Sequence, residues 1–218
     1  VLYNLIVLKK LKIEAFNCII ESNLPIGAGI SSSSALICGI ASGLNQLNNL
    51  KLTNDDIVDI VSDVEHNFIG LMGGIMDQFT IVNGKKNKLI LLNCQSRSFK
   101  YINSDFNNYK FLLINTNVEH NLANSAYNER VKECKEALSV INKKYNKYNC
   151  LVNVEENILN EFKNILTEKV YNRALFVIQE NKRTHDSANK ISNSKLKEFG
   201  ELMYKSHYGL KNLYEVSC

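Results

Sequence analysis

Asn23-Leu24-Pro25-Ile26-Gly27-Ala28-Gly29-Ile30-Ser31-Ser32-Ser33-Ser34-Ala35-Leu36-Ile37-Cys38 marks a change of texture in the chain. It holds the chain's only proline, two closely spaced glycines and four consecutive serines that open an apolar, helix-compatible run. The residues before it, 13 to 22, alternate loosely and carry Ile and Phe, so a strand is expected there. Strand, glycine loop and helix is the resulting order. Without a Cβ in the way, backbone N–H groups at a helix N-terminus can converge on an anion, and the helix dipole favours its charge. The serines add hydroxyls for phosphate oxygens or a hard cation. No lysine follows the glycines as in a Walker loop, and Ser32 stands where the third glycine of a dinucleotide-binding fingerprint belongs. On these residues alone, a serine cap after a tight turn serves equally well.

Downstream, Thr53 with Asp56 three residues later forms a short-armed capping box. Ile57, Ile60, Val61, Val64 and Phe68 then recur at helical spacing, giving a helix over about 54 to 68. Gly73-Gly74-Ile75-Met76-Asp77-Gln78-Phe79 places two glycines just before an acid, a design that lets backbone approach a ligand while the acid points into a cleft. Taken singly, Asp77 and Glu65 read as solvated carboxylates. Phe79–Val82 and residues 89 to 92 are expected to pair as a β-hairpin, and Tyr109 to Thr116 as a further strand. Helices are expected over 123 to 141, 155 to 166, 168 to 182 and 194 to 213. His120 and His207 read as packing residues, Cys38 and Cys134 as buried thiols, and Leu196, Phe199, Leu202, Met203 and Leu210 as a core stripe. A boundary near Asn117 divides the 218 residues into 1–118 and 119–218, an α+β organisation with a mixed α/β first lobe and a mainly helical second lobe.

The composition excludes several classes. Apolar residues make up 45% and charged residues 22%, ordinary globular values that rule out a disordered tail or a disulfide-dense mini-protein. No apolar run approaches the length needed to span a bilayer. The net charge is +4, but only four of the basic residues are arginine and the lysines are scattered among Asp and Glu, which argues against a nucleic-acid partner. Six cysteines without a CxxC pair or zinc-ligand spacing fit a reduced, cytoplasmic setting.

In combination these segments resemble a known family. Pro25-x-Gly-x-Gly29-Ile30-Ser-Ser-Ser, then Glu65-His66-x-Phe68, then Gly74-Ile75-Met76-Asp77-Gln78-Phe79, in that order, resemble the GHMP small-molecule kinases. The resemblance continues through His120 to Cys134, Arg173-Ala174, Glu180-Asn181-x-Arg183, Leu202-Met203 with Ser206-His207, and Leu213-Tyr214-Glu215-Val216-Ser217-Cys218. The Met-Asp-Gln-Phe and Tyr-Glu-Val-Ser-Cys segments narrow it to the galactokinase branch. It implies a two-lobed fold with a cleft between the lobes, and ATP-dependent phosphorylation of galactose at the anomeric hydroxyl. Carried over, Gly27, Ala28, Gly29, Ile30, Ser31, Ser32 and Ser33 would cradle the phosphates of ATP, and Ser33 and Glu65 would hold Mg²⁺. Asp77 would face the sugar hydroxyl as base or orienting group, and Gly74 and Tyr127 would line the galactose site. No obligate protein partner is implied.

Two family segments have no counterpart in this chain: an N-terminal motif carrying an arginine and the sugar grips, and a C-terminal glycine-rich motif. With no initiator Met, the chain is therefore expected to be a central portion cut at both ends, inert by itself although its parent is a competent kinase. A kinase for a related hexose such as N-acetylgalactosamine, and a non-catalytic regulator that binds galactose and ATP, are the rival readings.

Overall fold

A computed structural model describes residues 1–103, 106, 109–115 and 127–217, with the side chain of Tyr127 outside that description. The domain boundary at Asn117, His120, the beginning of the helix expected from 123 and the last residue of the strand expected over Tyr109–Thr116 also fall outside the described residues. The chain divides into two compact units: Val1–Tyr101 with Phe111–Ala123, and Ile102–Lys110 with Asn124–Cys218.

In the first unit, three helices follow the glycine loop. Helix α1 (Ser32–Leu47) buries Ser34, Cys38, Ala41 and Leu44, three or four residues apart along one face. Helix α2 (Asn54–Asp63) starts at the expected capping box: Thr53 Oγ1 accepts from the Asp56 N–H at 3.1 Å, and Asp56 Oδ2 accepts from the Thr53 N–H at 2.9 Å. Its Ile57 and Val61 close over Cys38 and Ala41, while Ile60 packs with Leu5 and Leu44. The α2 spiral then widens into a π-helical turn, Val64–Ile69, ended by Gly70 at φ 82°. Such turns displace side chains from regular helical spacing and concentrate at functional sites.

Helix α3 (Met76–Asn83) replaces the strand expected at Phe79–Val82. Thr80, Ile81 and Val82 have β-branched side chains, yet Phe79 is 2% exposed, and its N–H bonds the Ile75 carbonyl at 2.9 Å to close the first helical turn. Tertiary burial outweighs the strand propensity, which is weak and context-dependent. The hairpin shifts accordingly. Strand β1 (Lys88–Leu92) pairs with β2 (Phe99–Asn103) across a turn in which Asn93 Oδ1 accepts from the N–H groups of Gln95 and Ser96, both at 3.0 Å. Residues 13 to 22 and 109 to 115 form no strand, so the sheet among the described residues has only these two strands.

The second unit is mainly helical, as expected, although the helix expected over 155 to 166 ends at Asn160. Helices α4 (Tyr127–Tyr145), α5 (Glu156–Asn160), α6 (Glu168–Ser192) and α7 (Leu196–Gly209) are followed by a π-helical turn, Leu210–Tyr214. Ala137, Ile141, Leu159, Phe162, Val170 and Ala174 form its core. Glycine is required where α7 meets α6, because a Cβ at Gly209 would lie 2.9 Å from the Phe176 ring. Within the expected core stripe of α7, Leu196 is buried but Met203 is 48% exposed and is not a core residue. Cys38 is buried, whereas Cys134 is only partly so.

Candidate active site

The glycine loop owes its shape to backbone conformation. Gly27 and Gly29 have φ of 73° and 71°, a region closed to most L-residues, and nothing lies within 4 Å of where their Cβ atoms would be. Ser31 follows at φ 57° and ψ 37° as the N-cap of α1, and its carbonyl accepts the Ala35 N–H at 2.9 Å. Its side chain caps no helix N–H. The Ser31 hydroxyl instead donates to Asp77 Oδ2 at 2.7 Å, joining the loop to the first turn of α3 across 46 residues of sequence.

A second bond, three residues on, joins the same helix to the other acid. Ser34 Oγ donates to Glu65 Oε1 at 2.7 Å, and Gln78 Nε2 donates to Glu65 Oε2. Glu65 is 4% exposed, Ser34 5% and Gln78 2%, so the carboxylate sits in an enclosed site with both oxygens occupied by neutral donors. Hydrogen bonds to an ionised group are among the stronger ones, about 1.5–3 kcal/mol each. Glu65 lies in the π-helical turn, which turns it inward from a helix on which an exposed carboxylate would be ordinary. Its charge acts on Cys38 too: burial first, and then Glu65, push that thiol up to about 11.

The glycines ahead of Asp77 are held by His66, whose Nε2–H donates to the Gly73 carbonyl at 2.8 Å, while the Leu71 N–H bonds the Glu65 carbonyl at 2.9 Å. Gly74 is exposed. Beside α1, a groove of about 980 Å³ is lined by residues between Phe16 and Ile26, with Ile19, Leu24 and Leu36 in its walls and Ser32 and Ser33 among its lining.

The structure therefore brings together Ser31, Asp77 and Glu65 from the residues expected on sequence grounds, and keeps Ser32 and Ser33 at the opening of α1. Ser33, expected beside Glu65, is exposed; the hydroxyl that reaches the carboxylate is that of Ser34. Ser34 and Gln78 are the members that sequence reasoning missed, although Ser34 lies one helical turn after Ser31 and Gln78 directly follows the acid.

The donor set suits a hard cation. It is all oxygen, from a carboxylate and hydroxyls, and next to it Gln78 Oε1 is a buried atom without a hydrogen-bond partner. No three His, Cys, Asp or Glu side chains among the described residues form a metal cage.

In the second unit, segments that carried the resemblance perform structural work. Arg130 Nε donates to the Tyr214 carbonyl at 2.6 Å and Arg130 Nη2 to the Glu215 carbonyl at 3.0 Å. Arg173 donates to the Leu213 carbonyl and pairs with Glu215 at 2.5 Å. Glu133 bridges both guanidinium groups, at 2.9 and 3.2 Å, and Lys169 at 2.9 Å. Burial opposes its ionisation, but the Lys169 hydrogen bond and the two arginines outweigh it and hold the carboxyl below its ordinary range. Glu180 likewise pairs with Arg183 and accepts from Ser206 Oγ at 2.6 Å. His207 is exposed rather than packed.

Residues 2–85 match the GHMP kinases N terminal domain. The galactokinase of Clostridium tetani is 39% identical over 212 residues, 96% of this chain and 54% of its own length. That of Limosilactobacillus fermentum is 36% identical over 211 residues, again 96% of this chain and 54% of the relative. The crystal structure of Lactococcus lactis galactokinase complexed with galactose aligns with a TM-score of 0.85 and 30% identity, covering 90% of this chain and 51% of that one. The fold is GHMP-kinase-like, with its mixed α/β first unit and helical second unit. The expectation of a central portion is corrected: residues 2–85 match a domain that is N-terminal in its family, and the galactokinase alignment runs through 96% of this chain. The chain spans about half the length of the curated relatives it matches.

Proposed function

We propose that the protein carrying this chain is a galactokinase, transferring the γ-phosphoryl group of ATP to the anomeric hydroxyl of galactose to give galactose 1-phosphate and ADP. The observation that carries this reading is the pair of hydrogen bonds from one serine run to two acids, Ser31 to Asp77 and Ser34 to Glu65. These two bonds support a phosphate cradle, a cation ligand and a base around one helix N-terminus. The alignments with galactokinases along nearly the whole chain support the sugar.

The residues divide the work as phosphoryl transfer requires, by positioning and charge neutralisation more than by covalent help. Gly27, Ala28, Gly29, Ile30, Ser31, Ser32 and Ser33 line the phosphate path, the two glycines giving the backbone its left-handed turns and α1 directing its N–H groups at the anion. The groove beside Ser32 and Ser33 has room for the rest of the nucleotide. Glu65 and Ser33 would hold Mg²⁺, which supplies charge neutralisation at the phosphates when bound. Ser31 occupies Oδ2 of Asp77 and leaves Oδ1 to orient the sugar hydroxyl and take its proton as the new P–O bond forms. Gly74 would line the galactose site. Residues 1–118 would form the lobe that carries the phosphate loop and the acid, and 119–218 the second lobe. No helix among the described residues is long and apolar enough to cross a membrane, and Cys18, Cys38, Cys94 and Cys134 are free thiols, which supports a cytoplasmic setting with small-molecule substrates.

The test is formation of galactose 1-phosphate, followed with galactose and with glucose as acceptors. Turnover that depends on galactose and is lost in Asp77→Asn is expected, and turnover unaffected by that substitution would refute the assignment of the base.

A further inference from the structure

The side chain of Gln78 is among the most enclosed in the chain, at 2% exposure, and the reaction as proposed gives it no role. Its two ends are unequal. Nε2 donates to Glu65 Oε2, whereas Oε1 is buried without a hydrogen-bond partner. The carboxylate sets the orientation of the amide. Glu65 accepts from Ser34 on one oxygen and from Gln78 on the other, and turning the amide over would press a carbonyl oxygen against a negative one. The unsatisfied atom is thus the hard, neutral acceptor.

Leaving such an atom buried and unpaired is unfavourable, and a ligand bringing a donor would recover the loss. The ligand expected beside a carboxylate at the mouth of a phosphate loop is a hydrated cation. Mg²⁺ sheds its waters reluctantly, and those waters are donors of the kind that Oε1 lacks. A neutral amide is also well suited to the position: a second carboxylate there would repel Glu65, and a lysine would repel the cation.

We infer that Gln78 is a further residue of the cation site: Nε2 aims the Glu65 carboxylate, and Oε1 accepts a hydrogen bond from a water carried by Mg²⁺. The inference rests on the assignment of Glu65 as a Mg²⁺ ligand and adds a residue to it. Partners of this kind behind a metal ligand commonly matter about 10- to 100-fold in metal affinity.

The experiment uses Mn²⁺ in place of Mg²⁺, its free form counted by electron paramagnetic resonance, titrated into the chain with a non-hydrolysable ATP analogue. Gln78→Met keeps the length and apolar stem and removes both polar ends. Its Mn²⁺ dissociation constant is expected to rise about tenfold or more, with the metal-free affinity for the analogue unchanged. A constant within about twofold of the unaltered chain would overturn the inference. Glu65→Gln, run in parallel, separates the two levels. If it too leaves Mn²⁺ binding intact, the cation site itself is misplaced; if it alone weakens binding, only the role of Gln78 falls. A measurement on the unaltered chain guards against a Gln78→Met that does not fold. Mn²⁺ with the analogue should broaden the Gln78 side-chain amide signal in ¹⁵N-resolved spectra, and a sharp Gln78 signal alongside broadened Glu65 and Ser33 backbone signals would equally overturn it.

Discussion

The Ser34 hydroxyl donates to Glu65 Oε1 at 2.7 Å, so the first turn of the helix after the glycine loop holds a carboxylate 31 residues away. Both groups are almost fully enclosed, at 5% and 4% exposure. Cutting this bond leaves one oxygen of a buried carboxylate without its donor, a loss of about 1–3 kcal/mol. Ser34→Ala should lower the urea midpoint of the first unit accordingly and raise the Mg²⁺ required for half-maximal rate, in the same direction as Glu65→Gln. Equilibrium unfolding followed by circular dichroism checks the first, and a Mg²⁺ titration of rate the second.

Glu65 and Asp77 are tied to different serines, and their substitutions should separate. Glu65→Gln removes charge from a hard-cation site and should raise the Mg²⁺ required for half-maximal rate. Asp77→Asn should lower kcat by about 10²- to 10⁴-fold with little change in Mg²⁺ demand. Matching shifts in both Mg²⁺ titrations would show the roles to be misassigned.

At Gly29 the constraint is the φ of 71°, since no atom lies within 4 Å of the Cβ position. Gly29→Val should therefore strain the loop by about 1–2 kcal/mol and weaken ATP by about tenfold, with galactose affinity comparatively unchanged. Calorimetric titration of each ligand provides the comparison. Equal ATP affinity in the variant would remove the loop from the phosphate site.

Glu133 predicts an acid-sensitive second unit. Its folded pKa is depressed, so its contribution is present above the unfolded value of 4.5 and is lost as pH falls through the lower folded value. Glu133→Gln should flatten that acid limb. It should also cost about 3–5 kcal/mol at neutral pH, because Arg130 and Arg173, 5% and 1% exposed, would lose the anion between them. Unfolding free energies between neutral and acid pH would show both effects.

Cys38 has the opposite sign. Its folded pKa is raised from 9.0 to about 11, so its contribution is intact below 9.0 and lost as pH rises toward 11. At pH 8 a disulfide reagent should react with exposed Cys18 and reach Cys38 only on unfolding. Equal rates at the two thiols would mean that the helix α1 face is not closed.

Local signals made part of this structure legible in the sequence. The Thr53–Asp56 box, the helical stripe through Ile57 and Val61 and the glycine–serine loop each depend on neighbours within a few residues, and each formed as expected. Phe79–Val82 misled because three β-branched side chains mimic a strand, while the burial of Phe79 that fixes a helix is a tertiary fact. The same limit applies at the site. Ser33 and Ser34 are indistinguishable as letters, and only the start of α1 at Ser32, with the π-helical turn at Glu65, selects Ser34 as the one that faces inward. Arg130 meets Glu133 three residues on, but the backbone carbonyls that Arg130 and Arg173 also bond lie 40 or more residues away, beyond the reach of any local spacing.

The central claim is that Asp77, held by Ser31, directs phosphoryl transfer from ATP to galactose. The most direct measurement is ³¹P NMR of the protein carrying this chain with ATP, Mg²⁺ and galactose, unaltered and as Asp77→Asn. A galactose 1-phosphate resonance is expected to grow with ADP in the unaltered protein and to be slowed by about 10²-fold or more in the variant. ATP consumed without that resonance, or at equal rates in both proteins, would contradict it.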